Sequence, residues 1–356
     1  MKKTLIAVAA LSAMAASAMA ADVTLYGRLD TGLVYQHSEN LANVKTNKFS
    51  MESGFTTGSR WGLKGTEEIG SAKVGFILEG GFNSDDGRLG QGGRIFGREC
   101  VLTVGGDFGT FYFGRIASIV SDSGSVGLLG NASVFGNAYG YANMKATTGA
   151  EFDRYDNTIA YASPSLSGLS FNVQYSMQKN NSSATRENTA ESDRYLAGGL
   201  KYANGPFTAV LAADYVMYAG HNVDEGYNIV LGGNYKFSAA TVYVKGAYFD
   251  NALNIKDTFG CFAEATTQMK GWGVEVGTKV PAFGGDILAA VGYRNAENVN
   301  NSNDEYKYLA ANVGYTYSFS KRTSLWSVIG YAQEKGEVAD ETAKGFQVGV
   351  GLVHKF

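Results

Sequence analysis

Four arginines carry the most chemistry in this sequence. Arg28, Arg60, Arg98 and Arg154 each fall on the polar side of a segment whose other side is apolar. A guanidinium stays charged at any relevant pH. Ranged along a water-filled passage, such groups would set up a field that orients dipolar solutes and sorts ions by sign. The acidic residues placed to oppose them are Asp122, Glu151 and Asp153, of which only Asp122 lies well inside the stretch 116–153. From Gly124 to Gly149 that stretch is rich in Gly, Ala and Tyr, with Lys145 as its only charge, so the balance leans toward weak anion preference. Asp30 and Lys64 share the polar sides of Arg28 and Arg60, facing either the interior or a rim.

Catalytic chemistry has little to work with. His37, His221 and His354 are the only histidines and none has a metal-ligand spacing; no Gly-x-Ser-x-Gly elbow or phosphate-cradling glycine loop is present. Catalytic, cofactor and metal sites are therefore expected to be absent, and the chain is not expected to be an enzyme. Cys100 and Cys261 are too few to staple a small secreted fold. Free thiols are the expectation, with a single Cys100–Cys261 disulfide as the alternative.

The elements that must position these side chains begin after an export signal. Lys2 and Lys3, the apolar run Leu5–Ala16 and the small-x-small site Ala18-Met19-Ala20 read as a signal peptide over 1–20. Its removal leaves 336 residues, 21–356, and shifts the formal charge from -3 to -5. With a pI near 5.7, nothing predicts a nucleic-acid partner. The 47 glycines and 45 aromatic side chains come with only 3 prolines, a composition that excludes disorder and collagen. Beyond the signal, no run reaches the roughly 20 apolar residues of a membrane helix, which leaves a soluble protein or a spanning barrel.

Period-two alternation decides between them. Val23, Leu25, Gly27, Leu29, Thr31 and Leu33 share one face, against Thr24, Tyr26, Arg28 and Asp30. Phe346, Val348, Val350, Leu352, His354 and Phe356 alternate with polar or small residues in the same way at the other end. Sixteen such segments are predicted: 22–35, 55–65, 71–82, 94–105, 110–116, 153–163, 169–178, 193–203, 207–219, 226–237, 241–250, 270–280, 285–297, 305–318, 323–334 and 344–356. Each has about the ten residues of a tilted membrane strand. Connections alternate between tight turns, such as Gly106-Asp107-Phe108-Gly109, and long polar stretches at 36–54, 83–93, 117–152, 179–192, 220–225, 251–269, 298–304 and 335–343. Aromatics such as Tyr35, Phe82, Tyr161, Tyr235, Phe237 and Phe319 gather near strand ends, as interfacial girdles do. A soluble sandwich with sixteen half-polar strands would lack a dry core of matching size.

Several motifs in order resemble Gram-negative general porins, specifically the betaproteobacterial type. Leu25-Tyr26-Gly27-Arg28-Leu29-Asp30 resembles the opening strand, and Ser59-Arg60-Trp61-Gly62-Leu63-Lys64-Gly65-Thr66-Glu67-Glu68 the second strand and first periplasmic turn. Phe96-Gly97-Arg98-Glu99 through Thr110, with Phe113-Gly114-Arg115, resembles the fourth-to-fifth hairpin; Asp153 to Pro164 is similar to the sixth strand, and Val350 to Phe356 to the last. The resemblance implies an all-β, 16-stranded antiparallel outer-membrane barrel with short periplasmic turns and long external loops, assembled as a homotrimer embedded in lipid. It implies that the third external loop, here the 38 residues 116–153, folds inward to narrow a channel for ions and small hydrophilic solutes. It places Arg28, Arg60, Arg98 and Arg154 on the basic wall of the constriction, and implies that the terminal Phe356 is read by the outer-membrane assembly machinery. The acidic Pro-Glu-Phe-Gly-Gly loop segment of the enterobacterial branch is missing, which leaves the acidic side of the constriction open. A substrate-specific sugar channel or an adhesive barrel is the alternative within the same fold.

Overall fold

The computed structural model describes residues 23–142, 144–149, 153–179, 186–219, 223–253, 255–262, 267–336 and 341–356. The expected signal peptide 1–20, Glu151 and His221 lie outside the described residues. Seventeen strand segments follow in order: β1 (Thr24–Glu39), β2 (Lys45–Ser53), β3 (Arg60–Ile69), β4 (Ala72–Gly81), β5 (Glu99–Gly106), β6 (Gly109–Ala117), β7 (Arg154–Ala162), β8 (Leu169–Ser176), β9 (Arg194–Asn204), β10 (Phe207–Met217), β11 (Gly226–Lys236), β12 (Thr241–Ala252), β13 (Met269–Ala282), β14 (Gly285–Asn298), β15 (Asn301–Ser318), β16 (Thr323–Gly336) and β17 (Glu341–Lys355). From β3 onward each pairs antiparallel with the next, and β1 closes the sheet on β17 from Arg28↔Lys355 to Glu39↔Lys344.

Both β2 and β3 pair with β1, so they form one stave of the barrel in two pieces and the closed barrel has sixteen staves. The sequence pattern placed this stave at 55–65. Its upper half is instead Lys45–Ser53, separated from Arg60 by a break at 54–59. The reason is solvent. Above an apolar band both faces of a strand meet water, so Lys45, Thr46, Asn47 and Lys48 are all exposed and carry no alternation, yet they pair with Glu39, Ser38, His37 and Gln36. The same effect shrinks the expected connection 36–54 to 40–44 and the expected 298–304 to 299–300.

One rim carries tight turns. At Phe283-Gly284 both residues have positive φ (53° and 79°), the conformation of a hairpin turn whose twist matches its strands. The outer surface is apolar: Leu25, Leu29 and Leu33 of β1 and Phe346, Val348, Val350 and Leu352 of β17 are exposed, while Val34, Asp30 and Gln347 on the alternate positions are buried. No described helix is long and apolar enough to cross a membrane. Buried apolar residues collect where the segment 118–149 meets the inner wall. One cluster joins Ile119, Val120, Leu128 and Leu129 to Tyr195, Ala212 and Val230, and a second joins Phe135 and Tyr139 to Trp326 and Val328.

Candidate functional site

Arg28 on β1 stands directly across the ladder from Arg60 on β3. Like charges in that position repel, and two devices offset the repulsion. The break between β2 and β3 supplies Thr57, whose Oγ1 accepts from Arg28 Nη1 at 3.2 Å and from Arg60 Nη2 at 3.0 Å, while Gly58 O accepts from Arg60 Nε at 2.9 Å. Asp30 holds that break in place: its Oδ2 accepts from the backbone N–H groups of Thr56 (2.7 Å) and Thr57 (2.8 Å), and its Oδ1 from Trp326 Nε1 (2.8 Å). The second device is Glu79 on β4. Its Oε1 takes Arg98 Nε at 2.6 Å and Arg60 Nη1 at 3.5 Å, and its Oε2 takes the Tyr26 hydroxyl at 3.1 Å.

Arg98 reaches this cluster by a route that alternation does not provide. It precedes β5 at a bend, with its N–H bonded to Glu79 O, so Arg98 and its neighbour Glu99 are both buried although they are adjacent in sequence. A regular strand would have sent one of them outward, as it does Cys100. Arg154 opens β7, and its charge is felt together with those of Arg28 and Arg98 at Arg60. Arg28, Arg60, Arg98 and Arg154 therefore share one region of the wall with the carboxylates of Asp30, Glu79 and Glu99.

Of the acidic candidates among the described residues, Asp122 lies away from this wall and Asp153 beside it. Asp122 is turned into its own loop, where Oδ2 accepts from Asn137 N at 2.6 Å, and its field reaches Lys245 on the far side of the barrel. Asp153 is exposed beside β7 and accepts from Arg154 N at 2.7 Å. Glu79 and Glu99 were the residues missed by sequence reasoning. Glu79 was available to it, since alternation along β4 puts Ile77 and Glu79 on the face opposite Phe76 and Leu78. Below the arginines, toward the tight turns, a cavity of about 710 Å³ is lined by Lys64, Lys73, Asp107, Thr24, Thr66 and Tyr112. Lys64 lies over the Tyr26 ring, 5.5 Å from its centre.

The segment 118–149 is sewn to the inside of the barrel. Gln174 of β8 accepts from Ile119 N at 2.9 Å and donates to Ala117 O at 3.2 Å, and Asn234 of β11 donates to Asn131 O at 2.8 Å. Glu275 of β13 takes the Ser133 hydroxyl, Thr147 Oγ1 at 3.4 Å and Lys245 Nζ at 3.1 Å. Arg294 of β14, paired with Glu334, donates to Ala146 O at 3.1 Å. Gln347 of β17 donates to Tyr139 O at 2.7 Å. Close approach needs bare backbone on the wall: a Cβ at Gly273 would collide with Thr147 O. On the arginine side, Glu99 accepts from Ser125 N at 2.7 Å and Ser125 Oγ at 2.8 Å, and Phe55 O accepts from Tyr139 N at 2.8 Å.

A closed sixteen-stave barrel, apolar outside and lined by charge, with a loop bound within it, meets its match in comparisons with known proteins. The pattern that defines the Gram-negative porin family matches residues 7–337. The chain belongs to the Gram-negative porin family. It is 33% identical over 401 aligned positions to an outer membrane porin protein of Bordetella pertussis, covering all of both chains. It is 27% identical to outer membrane porin protein 32 of Delftia acidovorans, over 98% of this chain and 99% of that one. Among solved structures it resembles an anion-selective porin from Comamonas acidovorans with a TM-score of 0.70 and 25% identity, over 94% of this chain and all of that one.

This porin is an outer-membrane β-barrel that forms a channel. Within the described residues His37 Nδ1 faces Asn47 Oδ1 at 2.8 Å, His354 Nδ1 faces Thr323 Oγ1 at 2.9 Å, and both cysteines are free thiols, Cys100 exposed and Cys261 buried in the connection after β12.

Proposed function

We propose that this porin is a general diffusion channel with a weak preference for anions, in which Arg28, Arg60, Arg98 and Arg154 form the basic wall of the narrowest section. The observation that carries the reading is the gathering of Arg60 and Arg98 on one shared carboxylate, Glu79, with Arg28 directly across the ladder from Arg60, Arg154 within reach of their fields, and Lys64 and Lys73 below them. The loop 118–149 leans on β8 and β11–β17 for most of its bonds, which leaves the arginine wall to face the passage. Charge fixed at a narrow, water-filled section discriminates ions by sign. The structural resemblance to an anion-selective porin supports the same sign. On the acidic side we assign Glu79 and Glu99 as the carboxylates that temper the wall; Asp122, Glu151 and Asp153 act from the loop and its end.

The same reading includes a cleaved signal at 1–20, a homotrimer in outer-membrane lipid, no catalytic activity, and recognition of Phe356 by the assembly machinery. Phe356 also closes the ladder, exchanging backbone hydrogen bonds of 3.1 Å with Gly27. Its deletion should lower the amount of inserted protein; full surface levels without it would show delivery by another route. Reconstitution in a planar bilayer under a salt gradient tests the function. Stepwise conductance, in threes for a trimer, with a reversal potential on the anion side is expected. Cation selectivity or a silent bilayer with folded protein would reject the proposal.

A further inference from the structure

The connection after β12 brings Asp257 and Cys261 against Glu334 of β16. One carboxylate oxygen of Asp257, one of Glu334 and the Cys261 sulfur all lie within 4.8 Å of one another, with Cys261 and Glu334 buried. The Asp257 carboxylate winds the loop into a tight turn, its Oδ1 accepting from Cys261 N at 2.8 Å and its Oδ2 from Phe262 N at 3.0 Å, which holds it beside the Cys261 side chain with lone pairs on both oxygens still available.

The arrangement is electrostatically incomplete. Glu334 has no exposed surface; its Oε1 is taken by Arg294. The Thr258 N–H lies near the carboxyl, yet Oε2 is buried without a completed hydrogen bond among the described residues. Asp257 and Glu334 bring two carboxyl groups together beside the single guanidinium of Arg294, and a cation between them would offset the cost of holding both as buried carboxylates.

We propose that Asp257, Cys261 and Glu334 form a binding site for a thiophilic divalent cation of the Zn²⁺ or Cd²⁺ type. One sulfur and two oxygens are a donor set that suits zinc, with bonds of about 2.3 Å to sulfur and 2.0–2.2 Å to oxygen and a water in the fourth position. On binding, the thiol proton passes to water and the metal–sulfur bond takes its place, so thiolate, two carboxylates, guanidinium and metal sum to zero charge. The ion would tie the loop to β16. Through Arg294, which also donates to Lys256 O at 3.0 Å in that loop and to Ala146 O in the inward loop, it would stiffen the two loops together.

The test uses the full folded porin in detergent, in a Cys100→Ser background so that Cys261 is the only thiol. Native mass spectrometry with added Zn²⁺ should show one ion per chain, and Cd²⁺ should raise a sulfur-to-metal absorption band. Cys261→Ser should abolish the band, and Asp257→Asn should weaken Zn²⁺ binding about tenfold or more while the barrel stays folded by its heat-shifted gel mobility. Absence of the band in the folded parent protein would overturn the proposal. So would a band that persists in Cys261→Ser, or Zn²⁺ affinity untouched by Asp257→Asn. Should Cys261→Ser fail to fold, the parent's band and the Asp257→Asn titration decide alone.

Discussion

The two halves of the barrel wall use charge in opposite ways. On the far half, cations and anions are matched one to one out of solvent: Lys245 with Glu275, and Arg294 with Glu334, all within 5% of full burial. Each pair also bonds the inward loop, through Ser133 and Thr147 in one case and Ala146 in the other. On the near half, Arg98 and Arg60 share the one carboxylate of Glu79, and Arg28 and Arg60 face each other across the ladder. Matched, dry pairs act as clasps. In the near cluster Arg98 and Glu79 are also buried, but Arg28 and Arg60 are only partly so and turn to the neutral acceptors Thr57 and Gly58, which leaves their charge less fully neutralised.

The largest effect is expected where a clasp is broken on one side. Glu275→Ala leaves Lys245 buried without its carboxylate and deprives Ser133 and Thr147 of their acceptor. Removing one partner of a buried pair costs about 3–5 kcal/mol. The denaturation midpoint should fall accordingly and the open channel should become noisy as the loop loosens. A midpoint within error of the wild type would mean that the clasp contributes nothing and that the two halves do not differ in this way.

Replacing Arg28, Arg98 and Arg154 together by Ser attacks the other half. Folding should survive nearly intact, the reversal potential should move toward cations and conductance should rise. Lost trimer with wild-type selectivity would make these arginines structural, like the far pairs. Glu79→Gln sharpens the sign: it removes negative charge from the same cluster, so selectivity should move further toward anions, with a stability loss of about 1–3 kcal/mol from Arg60 and Arg98 losing a charged acceptor. Asp122→Asn should do least. Its carboxylate bonds Asn137 within the loop and acts on Lys245, so its selectivity shift should be smaller than that of Glu79→Gln. A larger shift would return Asp122 to the acidic side of the constriction.

Alternation along the chain was enough to read sixteen staves, the apolar outer face and the inward direction of Arg28 and Asp30, because neighbouring side chains of a strand must point to opposite faces and only one of those faces meets lipid. It could not reveal a strand where both faces are wet, which is why the segment Lys45–Lys48 reads as loop. It could not explain Arg98 either, whose inward turn comes from a bend rather than from parity. Glu79 as the hub of the arginines depends on partners as distant in sequence as Tyr26, 53 residues away. Likewise Gln347 meets Tyr139 across 208 residues. Such meetings are fixed by the register of every intervening hairpin and by closure of β1 on β17, and no local pattern in the sequence encodes that sum.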